Sequence, residues 1–163
     1  MPERIQGRAD GRSPVSVHFV NNVLAAAASY IEEEPETARD VLAELGAFLS
    51  HRLRAPRPVT TAEELDHVAV YLRLEQARFP GRLTVELPRP AELPTARLAP
   101  GDVQVPVSDA LERWLAGGTG RVRVALRARA DGLDLQLDHP DAPGDAGERL
   151  RIELGLPAAE TVA

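Results

Sequence analysis

His18 and Asn22 lie four residues, or one helical turn, apart in the segment Val17-His18-Phe19-Val20-Asn21-Asn22. A neutral imidazole offers an unprotonated ring nitrogen near neutral pH and is a competent nucleophile toward phosphorus, and an amide one turn further on can orient the ring or a water. The apolar residues around the pair are Val17, Val20, Leu24, Ala27 and Ile31, at steps of 3, 4, 3 and 4. At 100° per residue His18 falls roughly 140° from the middle of that stripe, so both polar side chains are expected to face solvent. Open to a partner, His18 is the candidate phosphoacceptor and Asn22 its helper. The competing reading of the same two residues is a plain polar patch on a helix-bundle surface.

The other candidates carry less chemistry. His51 and His67 stand beside charged neighbours in helical stretches and are read as solvated surface residues, with no partner at a spacing typical of metal ligands. His139, in Asp138-His139-Pro140-Asp141, reads as turn chemistry. Glu32-Glu33-Glu34 is a solvated helix end, and Trp114, the single Trp, is expected to anchor a helix in the core. The chain has no Cys, which removes disulfides, thiolate zinc sites and thiol nucleophiles together. No metal and no cofactor is expected.

The elements that would position His18 follow from pattern. Ser13-Pro14 reads as an N-cap and first helical residue, starting a helix that ends at the acidic run. Pro35 opens a second helix to about Arg54, with Val41, Leu42, Leu45, Phe48, Leu49 and Leu53 as its apolar face. A short loop between two amphipathic helices makes an antiparallel hairpin. Two helices cannot cover both their seams, and dimerisation into a four-helix bundle is the expected solution, with packing on the rest of the chain as the alternative. Ala55-Pro56-Arg57-Pro58 is a rigid break, after which Thr61 and Glu64 read as a capping box that starts a third helix to about Phe79. Beyond it the period falls to two: Leu83, Val85, Leu87; Val122, Val124, Leu126, Ala128; Leu133, Leu135, Leu137; and Leu150, Ile152, Leu154, Leu156. Asp131-Gly132 is the expected hairpin turn, and Pro106 to Leu115 a short helix left at Gly117-Gly118. Helices on a mixed sheet make an α+β fold.

Composition bounds the partners. At 163 residues with 44% apolar residues, the chain has the make-up of a globular domain carrying a small helical extension. All 19 basic residues are Arg, dispersed along a chain of net charge -6, which disfavours nucleic acid. No stretch approaches the roughly 18 apolar residues of a membrane span, and no apolar leader is evident, so a cytoplasmic protein is expected.

The order helical hairpin, helix, strand, helix, strand hairpin, strand is that of a histidine kinase core, and the motifs agree. Val17-His18-Phe19-Val20-Asn21-Asn22 keeps the His, Phe and final Asn of the P-H-F-L-F-N motif of LytS-type sensor histidine kinases. Leu49-Ser50, Leu53-Arg54, Val59, Glu64-Leu65, Tyr71-Leu72, Glu75, Arg78-Phe79 and Leu83 follow, in order, that family's L-S-x-x-L-R … V-x-L-x-x-E-L … Y-L-x-x-E-x-x-R-F … L pattern. The chain therefore resembles that family over about residues 15–85. The second half departs from it. In Leu111-Glu112-Arg113-Trp114 an Arg stands where the family's V-E-N-A stretch carries an Asn that helps hold Mg²⁺; a guanidinium has only donors and cannot ligate a cation. The D-N-G-x-G adenine motif is reduced to Asp138-His139-Pro140-Asp141-Ala142-Pro143-Gly144, and five residues separate Gly144 from Leu150, where the family has an ATP lid and a second phosphate loop.

The resemblance implies three units: a disordered tail over 1–12, a dimerising phosphoacceptor hairpin over 13–55, and a truncated, degenerate GHKL ATPase-like α/β sandwich over 56–163. It implies two-component or phosphorelay signalling, with His18 and Asn22 as site residues and a response-regulator receiver domain as partner; the uncovered helix seam adds the expected homodimer, and the lack of an apolar span the expectation of no membrane contact. Phosphotransfer through His18 without ATP, in the manner of the sporulation-phosphorelay phosphotransferases, is the leading expectation. A non-catalytic pseudokinase module that docks on a regulator or kinase is the alternative, and an active autokinase the third.

Overall fold

The computed structural model describes residues 3–6, for which only the backbone is considered, together with 16–54, 57–118, 120–141 and 147–154. The elements in chain order are β1 (Glu3–Gln6), α1 (Val17–Tyr30), α2 (Pro35–Leu53), β2 (Val59–Thr60), α3 (Thr61–Arg78), β3 (Leu83–Glu86), β4 (Arg97–Leu98), α4 (Gln104–Ala116), β5 (Val122–Ala128), β6 (Gly132–Asp138) and β7 (Glu148–Glu153). Five strands form one sheet in the order β1-β7-β6-β5-β3, and β2 pairs with β4 apart from it. β3 runs parallel to β5, with α4 in the crossover, and β5-β6-β7 is an antiparallel meander.

Alternation sorts the sheet into two faces. Val122, Val124, Leu126, Leu133, Leu135, Leu137, Leu150 and Ile152 are buried on the side of α3 and α4. Cross-strand ion pairs occupy the other face: Arg123 Nη2 donates to Asp138 Oδ2 at 2.7 Å, and Arg129 and Arg151 both reach Asp134 at 2.5 Å. Register is pinned at Gly132, the first residue of β6, where a Cβ would stand 2.2 Å from the Ile152 carbonyl oxygen. Arg129 N–H donates to the Gly132 carbonyl at 2.9 Å, which closes the hairpin around Ala130-Asp131.

The hairpin of α1 and α2 lies against α3 in the same chain. Its inward face is Phe19, Val23 and Ala27 from α1 with Ala38, Val41, Leu45 and Phe48 from α2. This corrects the expected seam: Val17, Leu24 and Ile31 are exposed, as are Leu42 and Leu53. α1 carries two apolar stripes, and the one with the Phe ring turns inward because it removes more apolar area from water. The outer stripe remains uncovered in one copy of the chain, and a four-helix bundle is not part of the single-chain fold.

Two local expectations also change. Ser16 is the N-cap of α1, its Oγ accepting from Phe19 N–H at 3.3 Å; Ser13-Pro14 lie outside the described residues. The capping box of α3 is one residue earlier than expected: Thr60 Oγ1 accepts from Glu63 N–H at 3.1 Å, and Glu63 Oε2 accepts from Thr60 N–H at 2.8 Å. Thr61 instead donates to the Pro94 carbonyl at 2.8 Å, and Glu64 is buried. Within the segment read as a disordered tail, Glu3–Gln6 pair in parallel with β7, whose free edge offers unpaired backbone groups.

Candidate functional site

Phe19 sets the direction of His18. Its ring lies 5.4 Å from Phe48 and 5.5 Å from Tyr71, and the Arg78 guanidinium stands 5.7 Å from its centroid. Arg78 is itself held by Glu75, Nη1 to Oε1 at 2.7 Å, and lies 5.0 Å from the Phe79 ring. Tyr71, Glu75, Arg78 and Phe79, the residues of the Y-L-x-x-E-x-x-R-F match, are thus the fastening of α1 on α3. Burial raises the Glu75 pKa despite Arg78 beside it, and burial together with the Glu75 charge raises that of Tyr71. Tyr30 Oη adds a second fastening, donating to the Ala77 carbonyl at 2.7 Å.

With Phe19 inward, His18 is exposed, as the helical spacing predicts. It occupies the arc between the inward stripe and the outer stripe, roughly 130° from the centre of each. Asn22 is half-buried, nearer the α3 side than expected, and remains one turn from His18. A cleft of about 110 Å³ beside Phe19 is bounded by Ser16, Phe19, Arg52, Tyr71, Ser108 and Glu112 among others; His18 does not line it.

The residues that the resemblance aligns with nucleotide motifs pair with their neighbours. Arg113 Nη2 donates to Glu148 Oε1 at 2.8 Å, and Trp114 Nε1 donates to Glu148 Oε2 at 2.6 Å. Trp114 is half-buried and packs 4.7 Å from the His139 ring, whose Nδ1 is 2.9 Å from the Arg121 carbonyl oxygen. Asp138 accepts from Arg123, and Arg121 grips Asp141. Residues 142–144 of the reduced adenine motif, with 145 and 146 after them, lie outside the described residues. Among the described residues no group of three or more His, Cys, Asp or Glu has the arrangement of a metal site.

Sequence reasoning missed a buried polar cluster. His67 is 3% exposed and Glu64 0%, so neither is a solvated surface residue, and His51 is half-buried. His51 stacks on His67 with centroids 3.9 Å apart, and His67 stacks on Phe48 at 4.8 Å. Glu64 Oε1 accepts from Val103 and Gln104 N–H at 3.1 Å each, capping α4 from another helix where Val103 has no side-chain cap to give. Burial alone would raise the Glu64 pKa, but the facing His51 and the N–H groups of Gln104, Gly101 and Val103 outweigh it and hold the pKa below its ordinary value. The legible signal was position: Thr61, Glu64, Val68, Tyr71 and Glu75 fall on one stripe at steps of three and four.

The structure thus places an exposed His one turn before an Asn on a helical hairpin that packs against α3 of a mixed α+β unit. Residues 12–83 match the histidine kinase family. The chain is 34% identical over 131 residues to the sensor histidine kinase BtsS of Escherichia coli K12, covering 80% of this chain and 23% of that protein. It is 31% identical over 102 residues to the sensor protein LytS of Bacillus subtilis 168, covering 61% of this chain and 17% of that one. It thus spans about a quarter or less of the length of these relatives. The histidine kinase AdeS of Acinetobacter baumannii gives a TM-score of 0.35 at 9% identity, over 78% of this chain and 72% of that one. The chain is thus similar, over part of its length, to a segment of these sensor proteins.

Proposed function

We propose that this chain accepts and donates phosphate at His18 in a phosphorelay, with a response-regulator receiver domain as its partner and without using ATP. The observation that carries the reading is the contrast between the two halves: His18 is open on α1, while Arg113, Trp114, Asp138 and Glu148 are spent on one another and on Arg123. An unprotonated ring nitrogen of His18 attacks the phosphorus of an aspartyl phosphate in line. The N–P bond forms as the P–O bond to the aspartate breaks, the electron pair leaves with the carboxylate, and the proton on the other ring nitrogen passes to water. Asn22, one turn away, orients the ring or a water. The outer stripe of Val17, Leu24, Ile31, Leu42 and Leu53 is covered in this reading by a second copy, because an exposed apolar strip of that length is costly in a monomer. A cytoplasmic site of action goes with a receiver partner.

The test supplies phosphate from two sources. Incubation with a phosphorylated receiver is expected to put an acid-labile, base-stable phosphate on the chain, and incubation with Mg-ATP alone is expected to leave it unlabelled. Labelling from Mg-ATP would restore the autokinase reading. Stable docking of receivers with no transfer from any of them would leave the non-catalytic binding module.

A further inference from the structure

Among the described residues, five buried side-chain atoms lack a hydrogen-bond partner, and three of them meet at the junction of α2, α3 and the start of α4: His51 Nε2, Glu64 Oε2 and His67 Nε2. His51 Nε2 stands 3.8 Å from Glu64 Oε2, beyond hydrogen-bond length but within reach of a small side-chain movement. A shared metal does not suit the trio. The two imidazoles are stacked within 23° of parallel, so the in-plane lone pairs of their ring nitrogens do not converge on one ion as tetrahedral ligation requires.

We propose that His51, His67 and Glu64 form a proton-operated clasp: with His67 neutral it holds the hairpin, through α2, on α3 and the N-terminus of α4, and a proton taken up by His67 releases the hairpin. The members tie three elements together. His51 and Phe48 belong to α2, His67 and Glu64 to α3, and Glu64 is bonded to the first turn of α4. The neutral imidazole of His67 stacks with both Phe48 and His51. The titratable and charged groups that face it are His51 and Arg52 from α2 and Glu64 from its own helix; Asp102, in the turn before α4, is the other acid near Glu64. The Arg52 guanidinium disfavours a further positive charge on His67, and Glu64, already bonded to the first turn of α4, offsets it only in part.

Burial, then His51, lowers the His67 pKa to about 4 in the docked arrangement. When α2 lifts away, His67 meets water and returns toward the ordinary value of about 6.5. The docked form is the one with the depressed pKa, so this contribution to docking is complete above about pH 6.5 and is lost as the pH falls toward 4. From those two values the open fraction rises about 30-fold between pH 7.5 and pH 5. Glu64, ordinarily titrating below that window, stays ionised through it. The clasp is independent of whether His18 carries phosphate.

Hydrogen exchange on the full chain reads the opening directly. After correction for the intrinsic pH dependence of exchange, amide protection over residues 41–53 is expected to fall about 30-fold from pH 7.5 to pH 5, with protection of β5 and β6 unchanged. His67→Phe keeps the stack on Phe48 without the titrating nitrogen and is expected to flatten the response. A wild-type hairpin indifferent to pH, an equal fall in β5 and β6, or an undiminished response in His67→Phe would each overturn the proposal. Imidazole titration by NMR on the unaltered protein is a second arm that no misfolded variant can spoil: one ring is expected to stay neutral down to about pH 4, and a spectrum with every imidazole protonated by pH 5 refutes the clasp.

Discussion

Residues 18 and 19 are neighbours in sequence with opposite energetic weights, and the account stands on that contrast. Phe19 is 5% exposed and touches Phe48, Tyr71 and the Arg78 guanidinium, whereas His18 is exposed. Burying a Phe side chain removes on the order of 200 Å² from water, worth up to about 5 kcal/mol at ~25 cal/mol per Å². Phe→Ala substitutions in cores cost about 3–5 kcal/mol, and Phe19→Ala is expected near ~4 kcal/mol because α3 cannot close over the gap. Phe19→Leu, which keeps most of the volume, should lose ~1.5 kcal/mol and provides a graded variant if the Ala form is too unstable to purify. His18→Ala should shift stability by no more than about 0.5 kcal/mol. Urea unfolding followed by far-UV circular dichroism supplies all three numbers. If Phe19→Ala costs under ~1 kcal/mol, or His18→Ala costs more than ~2 kcal/mol, the rotation of α1 assigned here is wrong and His18 is not the open residue.

Two further substitutions examine the capping and the outer stripe. Thr60→Ala is expected to cost ~1 kcal/mol through loss of the α3 cap, and Glu64→Ala about 2–4 kcal/mol because it strips the acceptor from two buried N–H groups of α4; equal and small effects in thermal unfolding would argue against the one-residue shift of the capping box. Leu24→Glu places a charge on the exposed stripe, so it should leave the folded signal unchanged and convert a dimer to a monomer in sedimentation at roughly tens of micromolar chain; a wild-type chain already monomeric there removes the homodimer from the proposal.

The helices and strands were legible because their periods are clean. Pro35 starts α2, β5 spans Val122–Ala128 as the alternation predicts, and α4 differs from expectation by only two residues at its start and one at its end. What misled was doubling. Thr60-Thr61 and Glu63-Glu64 each offer a capping box, and only the burial of the Thr61–Glu64 side selects the first pair. α1 has two apolar stripes that share Ala27, and neither period nor mean hydropathy says which faces α3. His51 and His67 read as surface residues because polar types in a charged helix average to solvent exposure. They cover one another across two helices, Phe48 and His51 of α2 stacking on His67 of α3, a long-range fact that no local window contains. His18 was legible from spacing, since one turn separates it from Asn22 and roughly 100° separates it from Phe19.

Phosphate localisation tests the central claim most directly. The chain is mixed with a phosphorylated receiver domain, digested at alkaline pH where phosphohistidine survives, and sequenced by mass spectrometry, with His18→Ala and Asn22→Ala run beside the wild type. The account predicts phosphate on His18 alone, none on the chain in His18→Ala, and slowed but measurable transfer in Asn22→Ala. Phosphate on His51, His67 or His139 instead, or equal labelling of His18→Ala and wild type, contradicts it.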